Sequence, residues 1–365
     1  MSTISAYAPG RVELLGNHTD YNQGVVLAAA IDRGLRITGT ARADKRIRLR
    51  SEELLREVEV SCDAITPQVE ERWANYALGV VDELQKAGHN IHGFDASVSG
   101  NLPSGAGLSS SAAFEVATAC FLMKLHDLRI PPLELAKLCQ RAENHFVGVQ
   151  SGLLDQVTSV FGRADHVVFL DCRKEEVQTF AFPPGLSLLI AESGAKHSLV
   201  QGEYNARRNE CRAAAEALDV SSLRDVDEAT LLAAQPLLDP LLYRRAAHIV
   251  GENARVFRAR EALALGNAEE FGKLMNTSHE SSRVNFENSA PELDVLVEMA
   301  RSLPGVLGSR LTGGGFGGAT VTLVQKKDAE ATADALRASY GKQTGRATQV
   351  FLCGIADGAF AQFSE

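Results

Sequence analysis

The chain has 365 residues, more than a single hydrophobic core usually serves, so two domains are expected. A hydrophobic fraction of 45% and a charged fraction of 23% are ordinary for a globular protein, and a net charge of −9 argues against a grip on a nucleic-acid backbone. No apolar run approaches the ~18 residues of a membrane span, no leader-like segment opens the sequence, and the six cysteines are scattered without a CxxC. A reduced, cytoplasmic protein with neither nucleic-acid nor membrane partners is the expectation.

In chain order, the first informative stretch is "RVELLGNHTDYNQG", residues 11–24. It has two readings: a polar turn between strands, or a ring of hydrogen-bonding groups around a polar ligand such as a sugar. The segments "GLRITGTARA", "KRIRLRS" and "FDASVSGNLP" alternate apolar and polar residues as half-buried strands do. Helices follow in "SAAFEVATACFLMKLHDL", in "PLELAKLCQRAENHFVG", which starts beside Pro131-Pro132, and in the short "GLLDQVTSVFG". The strand "HVVFLDC" leads to a charged, then Pro-rich stretch that marks the domain boundary. Domain one is therefore set at 1–175 and domain two at 176–365, with room for the final strand to pack back on the first domain. The second half begins with "GLSLLIAES", is helical from Glu203 to about Ala300, and closes with "GVLGSRLTGGGFGGATVTLVQ", a helix and "ATQVFLCGI".

Three segments carry chemistry. "LPSGAGLSSSAA" (102–113) joins a strand to a long helix, and its glycines and serines face free N–H groups and the positive end of the helix dipole. It reads as a phosphate loop or as a serine N-cap, and it is not a Walker A loop, because no Lys follows the second glycine. "LTGGGFGGATVTLV" (311–324) satisfies GxGxxG but runs into a strand, which rejects a dinucleotide site. A tight hairpin or a second wall of a ligand cleft remains. In "RAENHFVGVQSGLLDQ", Glu143 lies late in one helix and Asp155 in the first turn of the next.

Together these segments resemble the galactokinase branch of the GHMP small-molecule kinases. The signature GRxNLIGEHTDYNxGxV is matched by "GRVELLGNHTDYNQGVV", and PxGxGLSSSA by "LPSGAGLSSSAA"; "LTGGGFGGATVTLV" matches the glycine-rich turn. The resemblance implies an α+β, two-domain GHMP-kinase-like fold with the active site in the interdomain cleft. It implies ATP and Mg2+, with Asp155 as the base facing the anomeric hydroxyl and Arg11 as the charge-stabilising residue. Asn17, His18, Asp20, Gly152 and Tyr204 fall at sugar-contacting positions. Ser51, Gly105, Ala106, Gly107, Leu108, Ser109, Ser110 and Ser111 are implied around the nucleotide, and Ser111 and Glu143 as magnesium ligands. Phosphoryl transfer suits such a set, since it needs in-line positioning and charge compensation more than covalent chemistry.

Asn17 stands where the signature carries Glu, which opens the identity of the sugar. The expected activity is galactose phosphorylation at the anomeric hydroxyl; galacturonate, N-acetylgalactosamine or a non-catalytic sugar sensor are the alternatives. The expected partners are the monosaccharide and ATP, with the chain acting as a monomer or weak dimer.

Overall fold

Arg11 lies inside a strand and not in a turn. In the computed structural model, which describes residues 2–103, 107–195 and 200–363, β1 runs from Ile4 to Leu15 and the turn begins only at Gly16. β1 pairs antiparallel with the long β2 (Val25–Ala41), and their register shifts between Pro9 and Arg11. Proline has no N–H to give a ladder, so a bulge at this point is its natural accommodation.

The first sheet continues with β3 (Arg46–Ser51), β4 (Arg56–Ser61), β5 (Phe94–Gly100), β6 (His166–Asp171) and β7 (Glu176–Ala181), and it takes in the last strand, β12 (Phe360–Phe363). The order is β12-β1-β2-β5-β3-β4, with β6 beside the first residues of β2 and β7 outside it. The helices α1 (Asn75–Lys86), α2 (Ser110–Leu125), α3 (Pro132–Arg141) and α4 (Leu154–Phe161) belong to this half, where α1 and α2 bury Leu78, Val81, Phe121 and Leu122 in one core with Phe94 and Ile47 of the sheet.

A second, antiparallel sheet has the order β11-β8-β10-β9, from β8 (Leu186–Glu192), β9 (Val306–Thr312), β10 (Ala319–Gln325) and β11 (Val350–Cys353). The helical span between β8 and β9 resolves into α5 (Val200–Ala217), α6 (Glu228–Ala234), α7 (Pro240–Ala264), α8 (Ala268–Ser281) and α9 (Pro291–Arg301), and α10 (Ala329–Thr344) follows β10. α7 starts where Asp239 accepts the Leu241 and Leu242 N–H groups, with Pro240 in the first turn. One core joins the halves: Val12, Leu14 and Leu27 pack with Val256, Phe271 and Met275 of α7 and α8 and with Val321 and Leu323 of β10. β1 therefore faces both halves of the molecule, and its polar side chains stand at their junction.

Two expectations are refined. The helix through "PLELAKLCQRAENHFVG" leaves α geometry after Arg141; residues 142–147 form a π-turn closed by Gly148 at φ 89°. Such turns recur at functional sites because they re-aim one side chain within a continuous helix, here Glu143. The glycine-rich segment after β9 is a hairpin turn into β10 that also walls a cavity, so both readings of it hold. All six cysteines are free, and among the described residues no helix is long and apolar enough to cross a membrane.

Candidate active site

Asp155, one residue into α4, faces Arg11 of β1. The Arg11 Nε and Nη2 atoms both lie 2.7 Å from Asp155 Oδ1, and Nη1 donates to the Gly107 carbonyl at 2.7 Å. The other carboxylate oxygen, Oδ2, accepts the Ser109 hydroxyl at 2.5 Å. Ser109 occupies the N-cap position of α2 but in left-handed backbone, φ 60°, and its side chain caps nothing. The N-cap reading of this serine is thus replaced by a different job, orienting Asp155. Leu108 gives its carbonyl to the Arg11 N–H while its side chain is core. Gly105 and Ala106 lie outside the described residues.

The "NHTDYN" turn is built from behind by α7. Gly16 sits at φ 96°, and the N–H groups of Gly16 and Asn17 donate to Glu252 Oε2 at 2.9 and 3.0 Å. Burial would raise the Glu252 carboxyl, but Arg255, with Nε at 2.5 Å, and its other neighbours hold it well below the usual range. His248, also of α7, donates its Nε2 proton to the Asn17 carbonyl at 3.1 Å. Asp20 then points its carboxylate at the backbone of Gly152; a Cβ on that glycine would run into it. Burial pushes the Asp20 carboxyl up to about 7.

His18 is fixed from both sides. Its Nε2 lies 2.9 Å from the Gly314 carbonyl and its Nδ1 2.7 Å from the Tyr21 hydroxyl. A carbonyl only accepts, so Nε2 carries the proton and Nδ1 accepts from Tyr21. Burial lowers the ring to about 4, which keeps it neutral. The Tyr204 ring of α5 packs 4.9 Å from it, centroid to centroid. Arg11, Glu13, Asn17, His18, Asp20, Glu143, Gly152, Asp155, Tyr204 and Gly314 together line a cavity of about 250 Å³.

Next to it, Ser111 and Glu143 share a side-chain hydrogen bond; Glu143 also accepts from Ser151 Oγ and Gln156 Nε2 at 2.5 and 3.0 Å. Burial and the charge of Asp155 push its carboxyl up, while the bonds from Ser151, Ser111 and Gln156 pull against this. A second cavity is lined by Ser110, Ser111, Ser51, Leu54, Tyr76, Trp73 and Phe114, the last two stacked at 6.2 Å. The α2 N-terminus therefore borders a cavity with stacked aromatic rings in its lining, while Ser109 just before it holds Asp155 of the first cavity.

Several residues that build the site are absent from the sequence reading. Glu13, Arg310, Glu252, His248 and Asn288 are buried polar side chains on strands, a helix and a loop, and each looks unremarkable in its own segment. The signals for Glu13 were indirect: it lies two residues beyond Arg11, so the two share a strand face, and it stands where the signature quoted above carries Asn.

Comparison with known proteins places this geometry. The chain matches the galactokinase galactose-binding signature over residues 2–40, the GHMP kinases N-terminal domain over 75–163 and the GHMP kinases C-terminal model over 259–342. It is 44% identical to the galactokinase of Roseiflexus sp. (strain RS-1), over 96% of this chain and 91% of that one. Against the galactokinase of Pasteurella multocida (strain Pm70) identity is 41%, over 98% and 94%. The crystal structure of Lactococcus lactis galactokinase complexed with galactose superposes with a TM-score of 0.94 at 34% identity, covering 98% of this chain and 94% of that one. With the two-domain α+β fold and the cavity at the junction of its halves, these likenesses show that the chain belongs to the galactokinase family of GHMP kinases.

Proposed function

We propose that the protein phosphorylates galactose at its anomeric hydroxyl, converting galactose and ATP to galactose 1-phosphate and ADP. The Asp155 carboxylate carries this reading: it lines the first cavity and is held by Arg11 and by Ser109, whose neighbours Ser110 and Ser111 line the second. The sugar occupies the cavity of Asn17, His18, Asp20, Gly152 and Tyr204. The nucleotide lies along Ser51, Trp73 and Phe114, with its phosphates at the N-terminus of α2 near Gly107, Ser110 and Ser111. Asp155 orients the anomeric hydroxyl and accepts its proton as the oxygen–phosphorus bond forms and ADP leaves. Arg11 balances the charge of the moving phosphoryl group.

One hydroxyl and one carboxylate, both hard oxygen donors, fit a magnesium ion that keeps water and phosphate oxygens as its remaining ligands. Ser111 and Glu143 would hold it, and it would neutralise charge on the phosphates. Among the described residues no three His, Cys, Asp or Glu side chains form a self-sufficient cage, which suits an ion that arrives with the nucleotide. Action as a monomer or weak dimer in the cytoplasm is part of the same proposal.

The test is ADP release with ATP, Mg2+ and a panel of sugars. Galactose is expected to be turned over, with Glu143→Ala raising the Mg2+ concentration needed for half-maximal rate. A binding signal for galactose with no ADP release would favour the sensor reading instead.

A further inference from the structure

Asn17 lines the sugar cavity, yet its amide is fully engaged by the protein. Nδ2 donates to Glu13 Oε1 at 3.0 Å and to the Gly313 carbonyl at 2.8 Å, and Oδ1 accepts from Asn288 at 2.8 Å. Asn17 has no exposed surface. The group it serves is the Glu13 carboxylate, whose Oε1 also accepts from Arg310 Nη1 at 3.0 Å. Arg310 is fully buried, and its Nε and Nη2 have no hydrogen-bond partner among the described residues. Among the described residues Glu13 Oε2 has only a long contact to Asn17, at 3.3 Å, so that oxygen keeps acceptor capacity toward the cavity it lines.

Position along β1 gives this oxygen a meaning. Side chains two residues apart in a strand lie on one face, ~6.5–7 Å apart. Arg11 and Asp155 mark the end of the cavity where transfer is proposed; Glu13 stands about one pyranose ring farther along. Against the family signature quoted above, the chain has also exchanged the amide and the carboxylate between positions 13 and 17. The charge has not left the pocket: it has moved from the turn to the strand, where Arg310 of the second sheet anchors it.

We infer that Glu13 is a specificity-determining residue that accepts a hydrogen bond from a sugar hydroxyl at the end remote from the anomeric carbon and excludes sugars bearing a carboxylate there. This rests on the proposed galactose kinase activity. Asn17 is a positioning residue that holds Glu13 and does not itself read the sugar. Glu13, Asp20, Glu143 and Asp155 all face the cavity, against Arg11 inside it and Arg310 behind, so a uronate would add an anion to an already acidic pocket. Burial raises the Glu13 carboxyl, and the Arg310 and Arg11 guanidinium groups pull it back. The polar neighbours of Glu13 from other elements are Arg310 and Thr312 of β9 and Asn17 of the turn.

The experiment measures kcat/KM for galactose, 4-deoxygalactose, 6-deoxygalactose and galacturonate with wild type and Glu13→Gln. A site built to bond a hydroxyl rejects the analogue lacking it, so wild type should lose about ten-fold or more on one of the two deoxy sugars. It should lose about a hundred-fold or more on galacturonate. Glu13→Gln should shrink both ratios at least ten-fold (mainly by losing activity on galactose), with the KM for ATP unchanged. Equal losses on all four sugars would mean a merely structural role and overturn the inference. If Glu13→Gln does not fold, the wild-type series still decides: use of galacturonate within three-fold of galactose refutes it. No turnover of galactose by wild type would instead overturn the functional reading, and this inference with it.

Discussion

Replacing Asp155 by Asn or by Ala separates what this carboxylate does for catalysis from what it does for the fold. A carboxylate in the first turn of a helix is ordinarily solvated, and its loss then costs little stability. Asp155 departs from this: its side chain is 25% exposed and is the partner of Arg11, which is 8% exposed. Removing one member of a buried pair costs about 3–5 kcal/mol, and partial access of water to this one reduces the figure to about 2–3 kcal/mol. Asp155→Asn keeps an oxygen for Arg11 and lets the Ser109 hydroxyl turn to accept from the new amide, so it should cost about 1 kcal/mol or less. Both variants lose the proton acceptor, worth about 10²–10⁴ in rate, or about 3–5 kcal/mol of barrier. Coupled ADP-release kinetics and thermal unfolding should therefore rank the variants differently. In kcat, Asn and Ala fall together; in Tm, Ala falls well below Asn and wild type. Adding Arg11→Ala to Asp155→Ala should recover part of the lost stability, because it removes the stranded cation. Wild-type turnover by Asp155→Asn would refute the role of the base, and equal Tm values for Asn and Ala would refute the buried-pair argument.

Two further outcomes follow from the sugar cavity. Gly152→Ala drives a methyl group into the Asp20 carboxylate and should raise the KM for galactose at least ten-fold while leaving the KM for ATP within about two-fold; parallel changes in both would show that the two cavities are not independent. Asp20 titrates at about 7 in the fold and near 4 unfolded, so the free protein holds an extra proton between those values and its contribution to stability is lost as pH rises through that window. Asp20→Asn should remove this component, so that its stability relative to wild type increases from pH 4 to pH 7; parallel stability curves across that range would contradict the raised value.

What the sequence determined by itself was local. Glycines and serines at a strand–helix junction, the Pro131-Pro132 pair at a helix start, and alternation within strands each act over a few residues, so their consequences were legible without the fold. The motifs were also legible as a set, because the residues that touch ligands cluster within short segments. What the tertiary structure decided was which polar side chains serve the ligand and which serve each other. Asn17 looked like a sugar contact, yet its amide joins Glu13, Gly313 and Asn288. Ser109 looked like a cap or a phosphate contact and orients Asp155. Glu252 and Arg310 carry no signal in their own segments, yet they are 0% exposed and hold the turn and β1. The physical reason is sequence separation. The Glu252 bonds to the turn span 236 and 235 residues and the Glu13–Arg310 pair spans 297, and no local propensity records a partner that far away. Burial forces each of these groups to find a partner, but only the packing of α7 and β9 against β1 determines which one it finds.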